Sequence, residues 1–215
     1  MKNLSSVLAL FLFIPFFTFA SPVGDRTVPM EVTQLSDSLK RVYAPDKRVA
    51  LFDVDYSFAG KNVMLRGVTT SAEAKAALLQ GLAKANYKVM DCLQLLPDEE
   101  GLESKTYGIV NVSVANLRVD PDFSSEMMTQ GLMGMPIRVL QRNGWYRIQT
   151  PDNYIAWVHS VGIHPVTKAE LTAWNNAEKI VVTSHYGFVY SRPDQNSQTV
   201  SDVVADNVLK FSCGF

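Results

Sequence analysis

V-N-V-S-V-A-N-L-R-V-D-P (Val110 to Pro121), G-M-P-I-R-V-L (Gly134 to Leu140), N-G-W-Y-R-I-Q (Asn143 to Gln149) and Y-I-A-W-V-H-S (Tyr154 to Ser160) follow one another between Ile109 and Ile163. Apolar and polar residues alternate through much of this run, and a period of two marks a strand with one buried face. Ile137 and Val139 flank Arg138; Tyr146 and Ile148 flank Arg147. Asn143-Gly144 fits a tight hairpin because this pair accepts the positive φ such turns need. P-D-N-Y at Pro151 supplies the next turn. Strands this short gain most by closing on themselves, so residues 107–163 are expected to form a small β-barrel.

The same pattern begins again near Val181. Laid over the first copy without gaps, Pro193 falls on Pro121, Asp194 on Asp122, Ser197 on Ser125, Val200 on Met128, Val204 on Leu132 and Leu209 on Ile137. The expectation is a duplication in which residues 180–215 form an incomplete second barrel, lacking counterparts of G-W-Y-R-I-Q and I-A-W-V. Unpaired edges and an uncovered apolar face follow. Truncation of something longer explains this, and so does a partner that supplies strands. Between the copies, residues 164–179 read as a linker helix, opened by the capping box Thr167 and Glu170 and running through Leu171 and Trp174.

Residues 30–97 read as an α+β unit. Val32, Leu35, Leu39 and Val42 recur at helical spacing. Two β-rich runs, residues 49–56 and 62–69, are joined by F-A-G-K-N, and a helix capped by Thr70 and Glu73 buries Ala74, Ala77, Leu78, Leu82 and Ala85. A strand over residues 88–96 follows, with Cys92 expected as a small buried apolar residue. The acidic stretch P-D-E-E-G-L-E-S-K (Pro97 to Lys105) reads as a solvated hinge, since nothing apolar surrounds its carboxylates to raise a pKa.

The 215 residues are 47% hydrophobic and 19% charged, with a formal net charge of −1 and no basic run. A nucleic-acid partner is therefore excluded, because phosphate contacts need a basic footprint. Residues 1–20 combine Lys2, an apolar core from Val7 to Phe17 and a small-residue cleavage pattern at Thr18 and Ala20. This predicts a signal peptide and export to the periplasm or exterior; the apolar run is shorter than the roughly 20 residues of a membrane span, so no stable membrane anchor is expected. Export permits a disulfide between Cys92 and Cys213, though their spacing follows no disulfide framework.

The strands of residues 107–163 resemble a bacterial SH3-type domain. With a second copy behind them and T-K-A-E-L-T-A-W-N (Thr167 to Asn175) in between, the stretch from about Tyr107 to Lys210 resembles the front half of the cell-wall γ-D-glutamyl diamino-acid endopeptidases, NlpC-type cysteine peptidases also described as dipeptidyl-peptidase VI. In the α+β unit, G-K-N-V-M-L-R-G-V-T-T-S-A-E-A-K-A-A-L (Gly60 to Leu78) resembles the centre of BON-type domains, with an anonymous α+β spacer as the alternative. The family's catalytic domain follows the second SH3-like domain and carries a D-C-S-G-type motif. S-C-G-F around Cys213 departs from that order, and His159, His164 and His185 fall on barrel ends and loops.

The expectation is therefore a non-catalytic protein that binds peptidoglycan or its stem peptides. The alternatives are a component of a cysteine endopeptidase whose peptidase domain lies on another chain, and a module that accepts strands from a partner chain. The resemblance implies that an acidic residue and a tyrosine, Glu126 and Tyr154, receive the free amino end of a stem peptide, an ammonium facing a carboxylate and a phenol. Trp145, Tyr146 and Trp157 fall on adjacent strands and could form an aromatic platform, or belong to the core. Met127, Met128, Met133 and Met135 surround one loop and are expected to pack against a neighbouring domain. No histidine, cysteine and carboxylate set has ligand spacing, so neither metal nor other cofactor is expected.

Overall fold

The structure, a computed structural model, describes residues 28–211. The expected signal peptide and Cys213 lie outside the described residues. Among the described residues no helix is long and apolar enough to cross a membrane.

The N-terminal unit runs α1 (Met30–Tyr43), β1 (Phe52–Ala59), β2 (Asn62–Thr69), α2 (Ala72–Lys84), β3 (Lys88–Leu95). Gly60, at φ +62°, makes the tight β1–β2 hairpin, in which Ala59 faces Asn62. β3 lies parallel to β2, and a parallel neighbour requires a crossover, here α2. The core between helices and sheet is built from Val32, Phe52, Phe58, Val63, Leu65, Leu78 and Leu82. Each fully buried leucine contributes about 2 kcal/mol of apolar burial.

Three local expectations are corrected. Val42 is 70% exposed, and Tyr43 packs on the core instead. The cap of α2 is Ser71, whose hydroxyl accepts from Ala74 N, whereas the Thr70 hydroxyl accepts from Leu51 N. Thr70 is thus spent on holding the chain that leads into β1. Cys92 is exposed, because Leu93 turns inward toward the helices and its neighbour must point to the open side of the sheet.

The next unit is mainly β: β4 (Tyr107–Val110), β5 (Val114–Arg118), β6 (Met127–Leu132), β7 (Pro136–Asn143), β8 (Trp145–Gln149), β9 (Ile155–Val158) and β10 (Ile163–Val166). They form one sheet in the order β10-β4-β7-β8-β9-β5-β6. The outer strands β10 and β6 do not pair, so the expected closed barrel is an open seven-stranded sheet around one core of Val110, Leu117, Val139, Ile148, Val158 and Ile163. The α3 helix (Lys168–Asn176) follows, with the Thr167–Glu170 capping box formed as read from the sequence.

The second copy consists of β11 (Lys179–Val181), β12 (Tyr186–Tyr190), β13 (Thr199–Val204) and β14 (Val208–Lys210), in two antiparallel pairs, β11 with β14 and β12 with β13. Its strands fall on β4 to β7 at the constant shift that carries Pro121 to Pro193. The irregularity between Leu117 and Arg118 recurs between Val189 and Tyr190. Loop bonds recur too: Val119 N donates to Glu126 O and Ser191 N to Gln198 O, while Ser125 N donates to Asp122 O and Ser197 N to Asp194 O. In the first copy, β7 continues to β8 and β5 to β9; among the described residues no further strand pairs with the matching edges of β14 and β12, although Val208 N of β14 is bonded to Met133 O.

Neighbouring units are tied together. Leu51 and Leu96 of the first unit bury against Leu140 and Ile155 of the second, with main-chain bonds from Ile155 N to Arg48 O (2.6 Å) and Asp98 N to Leu140 O (2.8 Å). The acidic stretch between them is a built turn rather than a loose hinge. Gly101 N bonds Asp98 Oδ1, Leu102 N bonds Asp98 O, and Leu102 inserts into the β-sheet core, leaving Glu99, Glu100 and Glu103 in solvent. Between the two copies, Val208 N donates to Met133 O at 2.9 Å, where Gly134 leaves room that a side chain would fill. Of the four methionines, Met133 meets the neighbouring copy, Met128 and Met135 cover their own core, and Met127 is exposed.

Candidate functional site

β5, β8 and β9 lie side by side, and their alternation sorts residues onto two faces. Tyr146, Ile148, Ala156, Val158, Ala115 and Leu117 point into the core. The other face carries Trp145 and Arg147 from β8, Trp157 and then His159 from β9, and Arg118 from β5; Arg147 and Arg118 both stand opposite Trp157.

A loop presents one more ring to this face. Asp122 Oδ1 accepts both the main-chain N–H and the hydroxyl of Ser124, each at 2.7 Å, and Ser125 Oγ accepts from Asp120 N at 2.9 Å. The Ser124 main-chain bond, followed by its hydroxyl, holds the Asp122 carboxyl below its ordinary range. Arg118 Nη1 donates to Ser125 O at 2.6 Å, fastening the loop to β5. In this braced turn Phe123 remains 68% exposed, with its ring centroid 4.8 Å from Trp145 and 5.0 Å from His159. Trp145 and His159 meet edge to face at 5.1 Å. His159 Nδ1 accepts from Val161 N at 3.4 Å, which fixes how the imidazole is set against the two rings.

Beside the three rings, the Arg147 guanidinium lies 5.4 Å over Trp157. Its Nη2 is 3.9 Å from Asp53 Oδ2 on β1, and its Nε has no hydrogen-bond partner. Burial pushes the Arg147 pKa down, opposed by the charges of Asp53 and Asp120. The result is a largely buried cation, its Nε enclosed, between an aromatic cluster and two carboxylates. Such a surface can hold a ligand that has apolar faces and carries both carboxylate and ammonium groups. Among the described residues no group of three His, Cys, Asp or Glu side chains could hold a metal ion.

The residues singled out from sequence do not form one cluster. Trp145 belongs to the exposed rings; Trp157 is covered by Arg147; Tyr146, the third member of the expected platform, is a core residue. Glu126 is exposed, and its main-chain oxygen pairs with Val119 N. Tyr154 sits in the turn that meets the N-terminal unit, 6.0 Å beneath the Arg48 guanidinium, and no hydrogen bond links it to Glu126. Sequence reasoning does not single out Phe123, His159, Arg147 or Asp53 as binding residues. The patterns W-x-R at Trp145 and W-x-H at Trp157 contain the signal for two of them, since residues two apart on a strand share a face. Phe123 and Asp53 carry no such local signal.

Residues 117–163, which include most of this face, match the family model described as the bacterial dipeptidyl-peptidase Sh3 domain. The first β unit thus contains an SH3-like domain. No curated protein matches the chain. Among solved structures it is similar to an NlpC/P60 endopeptidase from Photobacterium damselae subsp. piscicida, at 18% identity and TM-score 0.42 over 54% of this chain and 29% of that one. It is also similar to an NlpC/P60 family protein from Bacillus cereus, at 17% identity and TM-score 0.40 over 51% and 48%. NlpC2 from Trichomonas vaginalis is similar at 12% identity and TM-score 0.26, over 48% and 36%. The chain thus spans less than half the length of each of these proteins. The SH3 domain, with the aromatic face on its β5-β9-β8 side, joins a three-stranded α+β unit to a partial second copy; a BON-type assignment of the first unit rests on its sequence resemblance alone.

Proposed function

We propose that this protein is an exported, non-catalytic cell-wall binding or targeting protein whose SH3 domain takes peptidoglycan stem peptides. The observation that carries this reading is Phe123, held in solvent by a braced loop against Trp145 and His159 on the face that also carries Arg147. An exposed phenylalanine loses apolar burial, so a loop built to keep it there favours a ligand over a role in folding. Stem peptides carry carboxylates suited to Arg147 and amines suited to Asp53 and Asp120. The match of residues 117–163 to a domain named for dipeptidyl-peptidases supports the same ligand class. Glu126 and Tyr154 enter as candidates for the free amino end on the family resemblance alone.

The test is retention of the purified chain on isolated peptidoglycan. Wild-type protein is expected to be retained and released by soluble stem peptide; passage through without retention would sink the reading. Thiol-dependent release of amino groups from L-Ala-γ-D-Glu-diamino acid by the chain alone would replace it with a peptidase. The edges of β12 and β14 that pair with no further strand among the described residues, β14 beyond its Val208 bond to Met133, support a second reading, in which a partner donates strands by β-augmentation. Hydrogen exchange on the purified monomer tests it: full protection of both edges counts against strand donation.

A further inference from the structure

Tyr186, Phe188 and Tyr190 alternate along β12, with ring centroids 5.1 Å and 6.4 Å apart in sequence order. Tyr186 and Phe188 are 58% and 49% exposed. An incomplete module offers a ready explanation, namely a core left bare, and the register of the repeat rules it out. The constant shift places Tyr186, Phe188 and Tyr190 on Val114, Asn116 and Arg118. It places Gly187 and Val189 on Ala115 and Leu117, which are buried in the first copy. Across the ladder Gly187 faces Val203, which is buried, whereas Phe188 faces Asp202 and Tyr186 faces Val204. The three rings therefore lie on the outer face, and strands completing the module would cover the other one.

We propose that this row is a platform for a linear chain of uncharged sugar rings, with successive sugars stacking along the aromatics. The inference rests on the cell-wall reading and extends it from stem peptide to glycan strand. Rings in line along one strand suit a ligand that is itself a chain, and the tyrosines at the two ends add hydroxyls that bond sugar hydroxyls. Asp202 is the one charged residue in β12 and β13. Opposite Phe188, its carboxylate keeps its charge, which disfavours an anionic ligand; Oδ1 can accept from a sugar hydroxyl, while Oδ2 accepts from Ser113 Oγ of the SH3 domain at 2.7 Å. The same bond makes the row continuous with the junction between the two copies, so that a chain lying on β12 runs on toward the SH3 domain.

The test uses the full chain, calorimetric titration with the soluble β-linked tetramer of N-acetylglucosamine, and retention on isolated peptidoglycan. Tetramer binding is expected, weakened about fivefold or more by Phe188→Ala and preserved by Phe188→Tyr, with stem-peptide binding unchanged. No tetramer binding, or equal binding by wild type and Phe188→Ala, overturns the platform, and retained wall binding then leaves the stem-peptide reading standing. Phe188-dependent tetramer binding without wall retention does the reverse. Self-association abolished by Phe188→Ala, with no sugar binding, assigns the row to a second copy of the chain and also overturns the proposal.

Discussion

Asn207, wholly buried, donates from Nδ2 to the main-chain oxygen of Ser113 at 2.9 Å and accepts from Val204 N on Oδ1 at 2.9 Å. One amide thus closes the turn between β13 and β14 and fastens the partial copy to the SH3 domain. The partial copy has little core of its own among the described residues; Val203 is its one buried apolar side chain. Docking supplies order that its own packing does not.

Asn207→Ala is therefore expected to release β11 to β14 while the SH3 domain stays folded. It strands a buried N–H and leaves a carbonyl short of a partner, at a cost of about 2 kcal/mol. Hydrogen exchange reads this directly, as lost protection confined to residues 179–211. Unchanged protection there would show that the bonds from Val208 N to Met133 O and from Ser113 Oγ to Asp202 Oδ2 suffice without the amide.

Leu140 is fully buried between the N-terminal unit and the SH3 domain, against Leu51, Leu96 and Ile155. Leu140→Ala opens a cavity at that junction and is expected to destabilise the docked pair by about 3 kcal/mol. Chemical denaturation of the variant should separate into two transitions where the wild type gives one. A single transition at an unchanged midpoint would argue that the junction contributes nothing to cooperativity.

Phe123→Ala should leave thermal stability within about 0.5 kcal/mol of wild type, since an exposed ring loses little on truncation. Retention on isolated peptidoglycan should fall clearly. Trp145→Ala is expected to lower retention as well, with some loss of stability because Trp145 is half-buried on β8. Equal retention by wild type and Phe123→Ala would remove the aromatic face from the binding reading.

The Thr167 main-chain N–H, followed by its hydroxyl, holds the Glu170 carboxyl below its ordinary range. A carboxylate depressed in the folded state contributes stability that is present above its unfolded value, about 4.3, and is lost as pH falls through the lower folded value. An NMR titration of the Glu170 carboxyl should give a midpoint below about 4.3, and Thr167→Ala should move it part of the way back. A midpoint indifferent to Thr167→Ala would mean that the main-chain N–H alone holds the carboxylate and the hydroxyl contributes nothing.

Features fixed by neighbours in the chain can be read directly from the residues. Alternation around Arg138 and Arg147 places β7 and β8, Asn143-Gly144 places the hairpin between them, and Thr167 with Glu170 opens α3. The duplication is legible as well, because turn residues such as Pro121 and Pro193 hold their spacing while the strands between them vary. Each of these depends on backbone geometry over a few residues. The cap at Ser71 rather than Thr70 is where local reading fails, since both residues suit a cap and the pull of Leu51, nineteen positions away, decides between them.

Only tertiary structure decided which outward-pointing residues meet. Phe123 reaches Trp145 and His159 because a loop folds back over two strands, and Arg147 finds Asp53 because a leucine and isoleucine junction holds two units together. Alternation tells in from out on a strand, but it is silent about what stands opposite the outer face; that depends on packing between segments remote in sequence. For the same reason an unclosed sheet took the place of the expected barrel, since closure depends on how β6 and β10 come to lie and not on the pattern within either strand.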